Sequence, residues 1–382
     1  RMNNDWNYEP VATSIFQQPL STAPAESGEC AKVIKQQPAP SGNSLSSVLD
    51  AYIVREEATL SNQGSRMKTL DETKSKVHSF IEIMGDMDVA TVRRSHIVEF
   101  RDTLLQLPKG KNASLRNMKP SARILEAKAQ GLTLLSPTTV KVYLRHLSTV
   151  FSYALERDLV TVNPVSKVAV KKAQNKSQTK EDRGYTEQEL LTVFSDETFI
   201  TANADRPFGM GCYWVPLLCR YTGARVNEIA QLRVEDVLTS PEGIHFLYIR
   251  EGVSQSVKSE SSVREVPLSD HLIELGFMDY VQRCKEWVFP ELPVNKYGNK
   301  GLKIGEWWGK KVRGNGVNVA QPSHAFRHAF KTAMRSLGVA DSVSDAITGH
   351  AANTEGNRYG VVTLETKKAA IDNLPKLDLD RL

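Results

Sequence analysis

The sequence predicts a multidomain, mainly helical protein in which an all-α domain precedes a mixed α/β domain with a small antiparallel sheet. Three observations carry that expectation. Apolar residues recur at helical spacing from Leu45 to Leu155, and Asn163-Pro164 closes the run. A Lys-rich, apolar-poor stretch follows and extends to Arg183. Beyond it, helical patterns are interrupted by two strand-like segments, Ile244 to Arg250 and Val263 to Leu268. At roughly 100–200 residues per domain, a chain of 382 residues suits two or three domains.

Residues 1–43 are rich in Pro, Ser, Gln and Ala without a sustained period, so they read as a flexible tail or linker. Leu45, Val48, Leu49, Tyr52 and Ile53 form one helical stripe, and Val77, Phe80, Ile81 and Met84 a second that Gly85 ends. After a short connection at Asp88 to Val92, Ile97, Phe100, Leu104 and Leu105 mark a third helix. Pro108 to Pro120 reads as a basic loop. The next strong helix starts with Ser136 as N-cap and Pro137 in the first turn. Its inner stripe is Val140, Tyr143, Leu144, Leu147, Val150, Phe151, Ala154 and Leu155, and its outer face carries Thr138, Lys141, Arg145, Ser148 and Ser152.

The second domain opens at Tyr185 with a capping box, Thr186 and Glu189, ahead of an apolar run. Trp214 to Leu218 reads as buried, Gly223 as a turn, and Arg225 as the start of a helix whose Ile229, Ala230 and Leu232 face inward. The loop between the two strand segments holds a single lysine, Lys258, and Pro267 suits an edge strand. Glu306 to Val312, with Trp307 and Trp308, patterns as a core helix. A further helix runs to Leu337 and stops at Gly338, and Leu364 to Leu374 looks helical. The domains expected are therefore 44–164 and 184–374, joined by a basic linker at 165–183 and followed by a tail at 375–382.

Hydrophobic residues make up 40% and charged residues 24%, and no apolar run approaches the ~20 residues of a membrane helix, so a soluble globular chain is expected. The residues before Leu45 lack the basic start and apolar core of a secretory signal, which makes cytoplasm the expected location. The formal net charge of +5 is less telling than its distribution. Gln106 to Leu147 carries eight Lys or Arg against Glu126 alone, and Ser166 to Arg183 carries six, Lys171 and Lys172 among them, against Glu181 and Asp182. Such stretches suit a surface that tracks phosphates. Cys30, Cys212, Cys219 and Cys284 have no CxxC spacing, so neither a zinc ribbon nor a disulfide framework is suggested.

The chemistry concentrates between Ser323 and Tyr359. His324 and Arg327 share a helical face and can converge on one anion. His324 and His328 also have the i, i+4 spacing of a zinc pair, with His350 as a third ligand, but Ala325 stands where a zinc protease has its general-base Glu. No metal is assigned. Neither a P-loop nor a dinucleotide fingerprint is present in the sequence.

With Arg225 and Lys258 upstream, the order Arg225, Lys258, His324, Arg327, His350, Tyr359 resembles the tyrosine recombinase (phage-type integrase) family. The resemblance rests on Thr222-Gly223-Ala224-Arg225-Val226-Asn227-Glu228-Ile229, on Lys258 before Arg264-Glu265-Val266-Pro267-Leu268, on His324-Ala325-Phe326-Arg327-His328, on Gly349-His350, and on Tyr359. It spans roughly Leu45 to Leu374.

That resemblance implies a SAM-like helical bundle that binds core DNA, followed by a mainly helical catalytic domain, the two closing as a C-shaped clamp on double-stranded DNA attachment sites. It implies site-specific cleavage and rejoining through a 3′-phosphotyrosyl link at Tyr359, in the integration or excision of a mobile element. Lys258 would protonate the leaving 5′-oxygen, His324 would take the phenolic proton, Arg225 and Arg327 would hold the phosphate, and His350 would donate it a hydrogen bond. Glu228 would organise the site by holding a cation or a helix end. No cofactor is implied. The expected assembly is a homo-tetramer on paired sites, with a dimer on one site, in a bacterial or phage-encoded setting that admits accessory DNA-bending or directionality proteins. The tail beyond Tyr359 would dock on a neighbouring protomer, and Lys141, Arg145, Lys171 and Lys172 are the expected DNA contacts. An arm-binding amino-terminal domain, carried by many integrases, is not evident in residues 1–43. Type IB topoisomerase-like relaxation and an idle DNA-binding protein on the same fold are the alternatives.

Overall fold

The computed structural model describes residues 42–59, 64–110, 113–115, 117–171, 184–200, 206–350, 361–377 and 379. Its first hydrophobic core is assembled from α1 (Leu45–Thr59), α2 (Gly64–Met84), α3 (Arg94–Leu104), α4 (Pro120–Ala129) and α5 (Pro137–Glu156). The stripes read from the sequence are the faces that meet: Leu45, Leu49, Val77, Phe80, Phe100, Leu147 and Phe151 are fully enclosed. Phe80 and Phe100 pack edge to face with centroids 5.0 Å apart. Ser136 caps α5 by accepting a hydrogen bond from the Thr139 amide at 3.1 Å, and Pro137 occupies the first turn, where no amide is needed.

Three local expectations need correction. The stretch after the basic loop holds α4, an amphipathic helix whose weak apolar face, Ala127 with part of Ile124, gives little periodic signal. Tyr143 and Leu155, placed on the inner stripe, lie at the rim; Leu155 is 40% exposed, and the Lys76 ammonium sits 4.1 Å from the Tyr143 ring centre. The stretch after Pro164 is not wholly a linker, because Val165 and Val170 are buried in the helical core and Arg94 and Arg101 donate to the carbonyls of Lys167 and Ala169.

The second core is larger. Its elements are α6 (Glu187–Phe194), α7 (Glu197–Ile200), α8 (Gly211–Thr222), α9 (Val226–Ala230), β1 (Val237–Thr239), β2 (His245–Ile249), β3 (Arg264–Pro267), α10 (Asp270–Glu274), α11 (Phe277–Gln282), α12 (Gly301–Gly314), α13 (Pro322–Ser336), α14 (Asp341–Thr348) and α15 (Leu364–Asp372). The capping box at Thr186 and Glu189 forms as read. Every residue of α8 is buried, so it is the central rod against which α9, α12 and α13 pack. Trp308 points into this core and donates its indole N–H to the Tyr185 hydroxyl at 3.0 Å, while Trp307 stays at the edge. Tyr185 in turn donates to the Pro322 carbonyl at 2.7 Å, which pins the start of α13.

The sheet is antiparallel in the order β1-β2-β3, with Leu247 opposite Val266 and Phe246 opposite Pro267. Pro267 costs nothing at the edge, where its missing amide has no partner to lose. Only three residues long and largely exposed, β1 left no pattern in the sequence. The helix after Tyr359 packs in cis: α15 lies on β3, the Lys367 ammonium donates to the Glu265 carbonyl at 3.0 Å, and the Leu377 amide donates to the Tyr221 hydroxyl at 3.0 Å. The expectation of docking on a neighbour is corrected by Ala370, Ile371, Leu374 and Leu377, which are buried in the chain's own core. Among the described residues no helix is long and apolar enough to cross a membrane.

Candidate functional site

The site begins with a glycine. Gly223 ends α8 at φ +59°, a conformation that L side chains rarely adopt, and a Cβ there would come within 2.9 Å of Phe330 and Thr348. The chain can therefore turn against α13 and α14, and Arg225 emerges as the N-cap of α9. The Gly223 carbonyl accepts a hydrogen bond from Arg327 at 3.1 Å, which locks α13 to the same turn.

Glu228 binds the start of α9 and two cations at once. One carboxylate oxygen accepts the Arg225 amide at 2.9 Å and Arg264 NH2 at 2.9 Å, and the other accepts Arg225 NH1 at 2.6 Å. It holds both a helix end and cations. Burial works to raise its pKa, but the charge and hydrogen bonds of Arg264 and the bonds from Arg225 prevail, so the group is held below the usual carboxylate range. Arg225 also reaches the Ser262 hydroxyl at 3.3 Å and keeps 27% of its side chain exposed. That leaves part of its fork open to an anion.

Arg327 is 3% exposed and lies beside His350, its NH2 donating to the imidazole Nδ1 at 3.0 Å. Burial, then the Arg225 and Arg264 charges, lower its pKa to about 10, so it stays cationic at neutral pH. His350 follows the left-handed Gly349 at the end of α14. Burial, with the Arg327 and Lys331 charges against the opposing Asp345, depresses its pKa to about 4. Nδ1 also lies 3.0 Å from the Thr348 hydroxyl, and Nε2 3.4 Å from the same Arg327 nitrogen; the neutral tautomer in which Nδ1 accepts from Arg327 carries its proton on Nε2. Lys331 fixes Asp345 at 2.5 Å, and Asp345 lies 3.5 Å from His350.

His324 stands one turn before His328 on α13, the rings edge to face at 4.8 Å. Burial and the charges of His328, Arg327, Arg225 and Lys258 all lower its pKa. A neutral His324 is a proton acceptor at pH 7, and Lys258, exposed on the β2–β3 loop, is within electrostatic reach of it. The described residues thus bring together Arg225, Lys258, His324, Arg327 and His350. Tyr359 lies outside the described residues, as does Lys172. Among the described residues no group of three or more His, Cys, Asp or Glu is placed to hold a metal.

Of the expected DNA contacts, Lys141 and Arg145 are exposed on α5 and line a groove of ≈ 440 Å³ with Ser148, Val165 and Val168, and Lys171 is exposed nearby in sequence. Ser148 and Ser152 are less available than their spacing suggests, because both hydroxyls accept from the Asn163 amide at 3.1 Å. Sequence reasoning quoted Arg264 within a motif but gave it no role, and missed Ser262, Lys331 and Asp345. For Arg264 a signal existed, since alternation along β3 puts it on the inward face with Val266 while Glu265 points out.

Arg225, Lys258, His324, Arg327 and His350 lie close together, and the deeply buried carboxylate among them, Glu228, is already engaged by two guanidiniums. Such a site is built for an oxyanion whose charge is shared by several donors.

Residues 191–365 match the model of the phage integrase family. The tyrosine recombinase XerA of Pyrococcus horikoshii (strain OT-3) is 29% identical over 159 residues, which is 41% of this chain and 52% of that protein. The match thus spans about half the length of that curated relative. Among solved structures, a lambda integrase dimer bound to a COC′ core site superimposes with TM-score 0.54 at 14% identity, over 83% of this chain and 77% of that one. A lambda integrase tetramer bound to a Holliday junction gives 0.53 at 16%, over 82% and 79%. The Tn1549 transposon integrase with circular intermediate DNA gives 0.51 at 16%, over 85% and 98%. At these identities the likeness is one of fold: a helical bundle followed by a mainly helical catalytic domain with a small antiparallel sheet.

Proposed function

We propose that this chain, whose residues 191–365 match the phage integrase family model and which is similar to a tyrosine recombinase, is a site-specific DNA recombinase that cuts and rejoins duplex DNA through a phosphotyrosyl intermediate. The observation that carries the reading is the proximity of Arg225, Arg327, His324 and His350, with Lys258 within electrostatic reach of His324.

In this reading Tyr359 attacks the scissile phosphorus while neutral His324 takes the phenolic proton. The P–O5′ bond breaks, and the leaving oxygen takes a proton from the Lys258 ammonium. The products are a 3′-phosphotyrosine and a free 5′-hydroxyl. Arg225 and Arg327 face the non-bridging oxygens, and the His350 Nε2–H donates a further bond as charge grows there. Rejoining reverses the step: a 5′-hydroxyl from the exchanging strand attacks phosphorus, its proton returns to Lys258, and Tyr359 leaves with the proton held on His324. One phosphodiester is exchanged for another, so no external energy source enters the balance.

The helical core around residues 45–170 serves as the core-DNA-binding half, with Lys141, Arg145, Lys171 and Lys172 on phosphates and the catalytic half beginning near residue 184. Assembly as a dimer on one site and a tetramer on paired sites, mobilisation of a genetic element, and accessory DNA-bending or directionality proteins belong to the same proposal. The test is recombination between two copies of the DNA site that the protein captures covalently, scored beside relaxation of supercoiled plasmid lacking that site. Recombinant product supports the reading. Relaxation of any plasmid without recombination would establish topoisomerase activity instead, and tight binding without either would leave a DNA-binding protein.

A further inference from the structure

Arg264 is buried beside the site, 8% exposed, and each of its three guanidinium nitrogens donates a hydrogen bond. Each nitrogen goes to a different catalytic element. NH2 donates to the Glu228 carboxylate at 2.9 Å, and Glu228 holds Arg225. NH1 donates to the Ser262 carbonyl at 2.7 Å, at the end of the loop that carries Lys258. Nε donates to the Ile347 carbonyl at 2.6 Å, in the last turn of α14, two residues before Gly349 and three before His350. That carbonyl is among those that a helix end leaves without an intrahelical partner. The bracket is tight on its far side too, because a Cβ on Gly349 would come within 2.9 Å of Arg264 NH1.

We propose that Arg264 is a positioning residue that sets Arg225, the Lys258 loop and the His350 turn in register without touching DNA. The inference rests on the recombinase reading. The planar fork is what lets one side chain serve three directions; an ammonium in its place keeps the charge but cannot reproduce the geometry. A displaced Arg225 or His350 then meets the developing phosphate charge at the wrong distance, while DNA binding, which depends on many phosphate contacts elsewhere, is unaffected.

The test uses the full chain and the nicked duplex recovered by wild-type covalent capture, under single turnover at saturating protein. Arg264→Lys is measured with Arg264→Gln beside it, each below its unfolding transition, for the rate constant of adduct formation, its amplitude and duplex affinity. The expected result for Arg264→Lys is a rate constant lowered about 100-fold, the scale of losing one aligned donor, with amplitude and affinity within about threefold of wild type. A purely structural role would lower the amplitude, through the folded fraction, and leave the rate constant of the folded molecules alone. Wild-type rate constants in whichever variant folds would overturn the inference while leaving the recombinase reading standing. Failure of the wild type itself to form any adduct would remove that reading, and the inference with it.

Discussion

Replacing Glu228 by Gln removes the carboxylate shared by the Arg225 and Arg264 guanidiniums. The carboxylate is 3% exposed and accepts from both Arg225 and Arg264, so its loss leaves Arg264 buried with no counter-charge. Breaking a buried pair costs about 3–5 kcal/mol. The lower end applies here, near 3 kcal/mol, because Arg225 is partly solvated and the Gln carbonyl still accepts one bond. For a domain of roughly 200 residues, at about 2–4 °C per kcal/mol, the transition of the catalytic core should fall by about 6–12 °C. Scanning calorimetry of wild type and Glu228→Gln at neutral pH measures it. Inorganic phosphate should restore part of the loss, and should stabilise the variant more than the wild type, because Arg225 and Arg264 then lack their internal anion. A shift under about 2 °C, or equal stabilisation of both proteins by phosphate, would refute the role given to Glu228.

Acid should weaken the fold through His146 and His350. His146 is buried in the helical core with Nδ1 2.8 Å from the Thr73 hydroxyl, which itself donates to Thr69, and burial first, then Arg145, holds its pKa low. Both imidazoles have folded pKa values below the unfolded value near 6.5, so the unfolded chain binds protons more readily. Their contribution is complete above that value and is lost as pH falls through it, toward about 4 for His350. Urea midpoints should drop between about pH 7 and pH 5, and His146→Asn should flatten that limb. Replacing Lys141 and Arg145 together by Ala should weaken duplex binding and reduce the slope of log K against log salt by about 2, one unit for each phosphate that no longer meets a cation. Fluorescence anisotropy over a salt series measures it, and an unchanged slope would remove these residues from the interface.

The sequence was most legible where local physics decides structure alone. The stripe of Val140, Leu144, Leu147 and Phe151, the Ser136 cap and the stops at Gly85 and Gly338 depend on neighbours within a turn, so spacing suffices to find them. The weakly amphipathic α4 and the three-residue β1 carry too few apolar positions to register. The site shows the same division. Residues that would meet substrate announce themselves by type and order, whereas Arg264, Lys331 and Asp345 matter through partners far away in sequence; Arg264 alone joins residue 228 to residue 347. Only the fold brings such partners together. The cis docking of α15 was missed for the same reason, since its apolar face says that it must be covered but not by which copy of the chain.

The central claim is that Tyr359 becomes covalently joined to DNA. Wild-type protein and Tyr359→Phe are incubated with fragmented genomic DNA from the source organism, denatured in detergent and extracted, and the peptide that retains nucleotide is mapped by mass spectrometry. The account predicts a wild-type adduct on the peptide containing Tyr359, with phosphate at a DNA 3′ end, and none from Tyr359→Phe, which still binds the same fragments. An adduct that persists in Tyr359→Phe, or that maps to another residue, would contradict it.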